Sequence, residues 1–238
     1  MAKSSAKDAI ILINGNLFST YTTAFNAVDE VEPVDATGFG DGSRNFVPGI
    51  KIAQINADML WDSATGKVHD AMKTAGQTGI VSIIPEAYAL GGIAISLPYL
   101  QGNYNPVGDI SDILKIGSIE FKSYGDNYGI EYGNTLYHGT ITNTATGTSY
   151  DNAAATSTRY SAILHIWTAT ADDTYVVKVQ HSTDNNTWAD LATFTLDGQT
   201  VTAERLTGTS VNRYRRIVAT RTGAAADSFG FTVVLSTE

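Results

Sequence analysis

The feature that most limits how this chain can fold is a two-residue alternation of apolar and polar side chains that recurs in segment after segment. Ala53, Ile55, Ala57 and Met59 fall on one side of an extended segment, with Gln54, Asn56 and Asp58 on the other. Ile93, Ile95, Leu97 and Tyr99 repeat the pattern, as do Ile119, Phe121 and Ser123 after Leu114 and Ile116. Tyr175, Val177 and Val179 alternate with Val176, Lys178 and Gln180. Side chains change faces at every residue only in a strand, so period two predicts half-buried sheets. Val81 to Ile84 is wholly apolar and predicts a central strand. Phe229, Phe231, Val233 and Leu235 predict a final strand, and Trp188–Leu196 another, bracketed by turns at Thr183–Thr187 and Asp197-Gly198. Short strands punctuated in this way suit a sandwich or jelly roll.

One stretch breaks the alternation. Residues 65–76 place Val68, Met72 and Ala75 at helical spacing, with Gly76 as a C-cap. This predicts one short helix, packed on the sheet through Val68 and Met72. The expected fold is mainly β: a sandwich or small barrel with one short helix, followed by a second β-sandwich domain.

A chain of 238 residues can bury a core without covalent staples. It has no cysteine, which removes disulfides, thiol catalysis and cysteine-bound zinc. Its 24 acidic and 15 basic residues give a net charge of -9. Tight duplex binding needs a stripe of Lys and Arg to displace phosphate counterions, so this balance argues against it. An acidic surface does allow nucleic acid to slide past without sticking. The apolar run Ala9–Ile13 is too short for a signal peptide, and no stretch approaches the ~20 apolar residues of a membrane helix. Residues 1–8 are expected to be a flexible tail on a protein made in a cytoplasm, with no membrane insertion.

Residues 140–158 are rich in Thr, Ala, Asn and Gly and lack hydrophobic periodicity. They predict a boundary, with a first domain over 9–140, a linker over 141–158 and a second domain over 159–238. Between Val34 and Pro48 three glycines and two phenylalanines surround Asp41-Gly42, the pattern of a long hairpin with a projecting tip. Loops of that length are usually functional or ordered by a partner.

Chemistry-bearing groupings are sparse. No two of His69, His138, His165 and His181 have a metal-binding helical spacing, and His165 and His181 read as cross-strand packing. Glu120, Asp126 and Glu131 are close in sequence, as a glycosidase pair would be, but suit a solvated strand and turn. Ser182 to Trp188 offers calcium-type oxygen ligands without the full loop order, and reads as a hairpin turn using positive φ. Gly38 to Gly42 lacks the following helix and Lys-Ser/Thr of a phosphate loop. Arg213, Arg215, Arg216 and Arg221 form a basic cluster that suits a solvated strand edge protected by charge, or a contact with acidic neighbours. No nucleophile, base and oxyanion site assembles. The expectation is therefore no catalysis, no cofactor and no metal.

Several stretches resemble the tail tube (major tail) proteins of long-tailed bacteriophages. These are Leu12-Ile13-Asn14-Gly15-Asn16-Leu17-Phe18-Ser19, Val34-Asp35-Ala36-Thr37-Gly38-Phe39-Gly40-Asp41-Gly42, Phe46-Val47-Pro48-Gly49-Ile50-Lys51 and Gly117-Ser118-Ile119-Glu120-Phe121-Lys122. The likeness covers roughly the first 140 residues as a sparse pattern. The second half, through Val177 to Asp184, Trp188 to Phe194 and Val211 to Tyr214, resembles Ig-like or jelly-roll β-domains carried by such phage proteins, and its S-x-D-x-x-x-W run is similar to carbohydrate-binding jelly rolls. The resemblance implies a tail-tube-type β-fold and a virion subunit assembled in the host cytoplasm. It also implies protomers that join into rings, usually hexameric, which stack into a tube with an acidic lumen through which DNA passes. The implied partners are further copies of the chain and other tail proteins, and the second domain leaves a host-surface glycan open. A tube protein of a contractile injection or secretion machine, or a carbohydrate-binding decoration protein or adhesin, are the alternatives. The residues expected to make subunit contacts are Thr37, Phe39, Asp41, Arg44, Phe46 and Pro48, with the two phenylalanines as anchors.

Overall fold

The computed structural model describes residues 6–40, 42–108, 113–125, 129–169, 174–197, 200–223 and 228–237. Asp41, Asp126 and Gly198, as well as residues 1–5 of the expected tail, lie outside them. The protein is mainly β, as the alternation predicts. In chain order the strands are β1 Ile10–Ile13, β2 Asn16–Leu17, β3 Thr22–Asp35, β4 Phe46–Leu60, β5 Thr78–Ile84, β6 Ile93–Gln101, β7 Pro106–Val107, β8 Lys115–Ser123 and β9 Glu131–Ile141. They continue with β10 Ala145–Thr146, β11 Tyr150–Asp151, β12 Thr156–Ala169, β13 Thr174–Ser182, β14 Ala189–Asp197, β15 Thr202–Val211, β16 Tyr214–Thr222 and β17 Phe229–Thr237. Helix α1, Val68–Met72, falls between β4 and β5.

Two compact units result. The first comprises residues 1–20, 79–96 and 131–238, and the second residues 21–78 and 97–130. This division corrects the expected boundary at 141–158. That segment lacks long-range periodicity because its strands are only two residues long. β10 pairs with β16 through Ala145–Ala219, and β11 pairs with it through Tyr150–Arg215. The last strand, β17, hydrogen-bonds to β9 on one side and β12 on the other, so residues before and after 141–158 share one sheet.

In the first unit a large sheet runs β15-β12-β17-β9-β6-β5-β1-β2, with β6 entering through Ile93–Ser96. A smaller sheet, β10-β16-β13-β14 with β11 also on β16, packs against it. Phe229, Phe231, Val233 and Leu235 meet Tyr175, Val177, Val179, Phe194 and Ile217 between the two sheets. Tyr175 stacks on Phe229 at 4.1 Å between ring centroids. The other face of the large sheet is covered by the sheet itself. It curls until Ile10, Leu12, Ile80, Ile84 and Ala94 pack on Ile163 and Val234.

A buried polar chain sits on that inner face. His165 Nε2 lies 2.8 Å from Ser82 Oγ, and Ser82 Oγ 2.8 Å from Ser96 Oγ. The Gly15 N–H donates to His165 Nδ1 at 3.3 Å. Nδ1 is therefore an acceptor, and the ring proton sits on Nε2 and points to Ser82. Gly15 belongs to a two-residue Asn14-Gly15 turn with both φ positive, the form that matches strand twist. A Cβ on Gly15 would stand 2.5 Å from Thr202 backbone atoms, so only glycine lets this turn close against β15.

In the second unit β4 lies between β3 and β8, and β8 also pairs with β7 and with Tyr99–Gln101 of β6. Ala53, Ile55, Ala57 and Met59 are buried together, as their alternation predicts. Ile116 and Ile119 are both buried although three residues apart, because the register shifts at this point and Ser118 takes φ 47°. Val68 and Met72 are buried on α1, but the helix stops a turn early and leaves Ala75 exposed. The side-chain amides of Gln77 and Gln101 donate to the Ala71 and Met72 carbonyls, each at 2.8 Å, and satisfy the end that Gly76 was expected to cap.

The expected single face for Ile93, Ile95, Leu97 and Tyr99 also needs correction. Ala94 and Ser96 are buried in the first part of β6, Leu97 and Tyr99 in the second, and Ile93 is 66% exposed. The buried face switches between Ser96 and Leu97, where β6 stops pairing with β9 and goes on to pair with β8.

A fragment of residues 159–238 lacks the β9 partner of β17 and the cover for Ile163 and Val234. It should show no cooperative thermal transition by near-UV circular dichroism. Burial holds the His165 pKa down to about 3, so the folded imidazole stays neutral while the unfolded one protonates near 6.5. The unfolded chain then binds the extra proton, and stability should fall as pH drops from about 6.5 toward 3, approaching ~1.4 kcal/mol per pH unit from this residue. Urea titrations across that range should show the slope, and His165→Gln should reduce it by this residue's share.

Candidate assembly hairpin

The β3–β4 hairpin is built from two long strands with Asp35 opposite Phe46 at its neck. Beyond the neck, the Ala36 N–H donates to the Asn45 carbonyl at 2.8 Å. Asp35 Oδ1 accepts the Thr37 N–H at 3.0 Å and the Thr37 hydroxyl, while Thr37 Oγ1 accepts the Asn45 N–H at 2.9 Å. Thr37 thus ties both strands to one carboxylate. The Thr37 hydroxyl, followed by its N–H, holds the Asp35 carboxyl below its ordinary value of 3.8.

Further down, the register shifts between Val31 and Pro33, where Gly49 and Ile50 of β4 lie opposite the single residue Glu32. Pro33 faces Pro48 there, where neither has an N–H to lose from the ladder. A Cβ on Gly49 would lie 2.4 Å from the Glu32 carbonyl oxygen, which explains a glycine in this bulge.

Every described residue from Asp29 to Pro48 is exposed, and so are Ile50, Lys51 and Ile52. By register Phe46 and Pro48 share one face of the hairpin with Val31 and Pro33, while the bulge places Ile52 on the other. Val34 and Val47 face each other on the opposite face. Ile50 is 75% exposed, Phe46 is 51% exposed and Phe39 at the tip is fully exposed. Of the residues expected to make contacts, Thr37, Phe39, Arg44, Phe46 and Pro48 all lie exposed on this hairpin, whereas Asp41 falls outside the described residues. Thr37 also has the internal role given above. Val31, Val34, Val47, Ile50 and Ile52 extend the set. Their signal was present in the sequence, because the apolar positions of β4 change parity after Ile52, from even residues to Ala53, Ile55, Ala57 and Met59.

The other groupings have local explanations. His69 Nδ1 lies 2.6 Å from the Tyr104 hydroxyl, His138 Nδ1 lies 2.7 Å from Thr232 Oγ1, and His181 Nδ1 accepts the Asn212 N–H. His165 pairs in register with Ala203 and Thr232, and His181 with Ala189 and Arg215, so the two do not pair across strands. Glu120 pairs with Lys122 at 2.9 Å, and buried Glu131 pairs with Arg159 and Arg205. In the 182–188 turn Asp184 accepts the Asn186 and Thr187 N–H groups and the Ser182 hydroxyl, and Asn185 has φ 61°. Among the described residues no three His, Asp or Glu side chains gather as a metal site requires. No helix among them is long and apolar enough to cross a membrane.

In the arginine cluster the expected contact with an acidic neighbour forms at Arg213, while Arg215 does not lie on a solvated edge. Arg213 grips Asp151 with two hydrogen bonds, Arg216 lies 4.1 Å over the Trp188 ring, and Arg215 is fully buried.

No protein-family model matches the sequence, and no curated protein does. Among solved structures, a chain from the "Virion of native gene transfer agent (GTA) particle" is 15% identical, with a TM-score of 0.43, covering 55% of this chain and 98% of that one.

Replacing Asp35 by Ala should speed hydrogen exchange at the Thr37 and Asn45 amides and leave β1 and β5 amides protected. Because the folded Asp35 pKa lies below 3.8, the neck is intact above that pH and should loosen as pH falls through the lowered value. Amide exchange in the wild type on acidification reads this directly.

Proposed function

We propose that this chain is a virion structural protein, specifically a subunit of a phage tail tube that joins further copies into stacked rings. The observation that carries the reading is the apolar distal hairpin. An isolated two-stranded ribbon is marginal in water. This one extends Val31, Val34, Phe39, Phe46, Val47, Ile50 and Ile52 into solvent. Burial of each phenylalanine against a neighbour would contribute about 1.5–3 kcal/mol, repeated at every contact around a ring. Such a patch is what a subunit interface requires and what a monomer ordinarily avoids.

The residue pattern resembling tail tube proteins supports the same reading, and so does the acidic balance, which suits a conduit that DNA crosses without adhering. In this reading the protein is not an enzyme and uses no cofactor. Its partners are its own copies and other tail proteins, and it resides in the virion tail. Within the hairpin, Phe39 and Phe46 anchor the contact, Arg44 offers a charge to an acidic neighbour, and the Asp35–Thr37 tie holds the tip in one shape.

Negative-stain electron microscopy of concentrated protein should show rings or tubes. A uniform population of monomers, with binding on a glycan array, would favour a decoration protein or adhesin instead. The double variant Phe39→Ser, Phe46→Ser should keep the wild-type melting curve and lose the assemblies. Unchanged tubes would remove the hairpin from the mechanism.

A further inference from the structure

Arg215 presents a charge that no side chain among the described residues balances. It is fully buried, and its Nε, Nη1 and Nη2 atoms are shielded from solvent without a hydrogen-bond acceptor among the described residues. It shares the core face of β16 with Ile217 and Ala219. In register it stands between Tyr150 of β11 and His181 of β13.

A guanidinium cannot escape burial by losing its proton. A buried, unpaired ion is among the most costly features a core can hold. Among the described side chains, the carboxylates on the surrounding strands and turn are already engaged. Asp151 is bound to Arg213, Asp184 holds the turn after β13, and Asp190 is taken by Lys178 and Gln180.

His181 adds a donor, not an acceptor. Its Nδ1 receives the Asn212 N–H at 3.2 Å, which leaves the ring proton on Nε2. Burial, together with the positive charge of Arg215, favours this neutral form. A guanidinium with five N–H donors, beside an imidazole N–H and a phenol, is chemistry that lacks an anion. The charge to be met is a single unit, and complete shielding favours a small ion over an extended organic acid.

We propose that Arg215, flanked by His181 and Tyr150, forms a buried site for one small monovalent inorganic anion of the chloride class.

The test compares melting temperatures at constant ionic strength as sodium chloride replaces sodium gluconate. The wild-type melting temperature should rise with chloride and level off, as one-site linkage requires. Arg215→Met, which keeps the apolar stem, should melt at the same temperature in both salts. Crystals grown in sodium bromide should show an anomalous peak beside the Arg215 guanidinium, a readout that stands if the variant fails to fold. Equal wild-type melting in chloride and gluconate, or a parallel rise in both proteins, would overturn the proposal. So would ordered water alone at the guanidinium in the bromide crystal.

Discussion

The first unit depends on one sheet burying both of its faces. A flat sheet of this length would need a separate layer on each side. Here the smaller sheet covers one face, and curling brings β1, β5 and β6 over the other. The curl works only where backbone and polar groups meet at close range. The Asn14-Gly15 turn supplies the geometry, and Gly15 leaves no room for a side chain against β15. The His165, Ser82 and Ser96 chain supplies the hydrogen bonds for polar groups that no water reaches. Satisfied in this way, a polar chain in an apolar interior costs little and fixes which strands face one another.

Much of this was legible in the sequence where a local rule held over a whole strand. Ala53 to Met59, Tyr175 to Val179 and Phe229 to Leu235 all bury the face their alternation marks. The helix and the long hairpin lie where spacing and glycines placed them. The failures share a cause, which is that a partner changed the local pattern. β6 reverses its buried face because it changes neighbouring strand midway. Residues 141–158 read as a linker because strands of two residues carry no periodicity, yet β10 and β11 are held by β16. The inward turn of Arg215 was missed because sequence records charge but not which face of β16 turns inward.

The hairpin shows a related limit. Phe39 and Phe46 stand out in sequence by their size among glycines. Ile50 and Ile52 do not, since they merge into a strand whose next apolar residues are buried. Only the change of parity at Ala53 separates the part of β4 that fills its own unit's core from the part left exposed.

The position of β17 has a consequence for how the chain reaches this state. A strand made of residues 229–237 lies between β9 and β12, so the core of the first unit cannot close until those residues have left the ribosome. Residues 21–78 and 97–130, which form the second unit, emerge much earlier. During synthesis the apolar ribbon is therefore displayed on a chain whose other half is still open, and the pairing of β17 joins segments far apart in sequence, a slow kind of closure. The interval between emergence of the hairpin and docking of the last strand is when the nascent chain is most vulnerable to premature self-association, and when a chaperone would have most to protect.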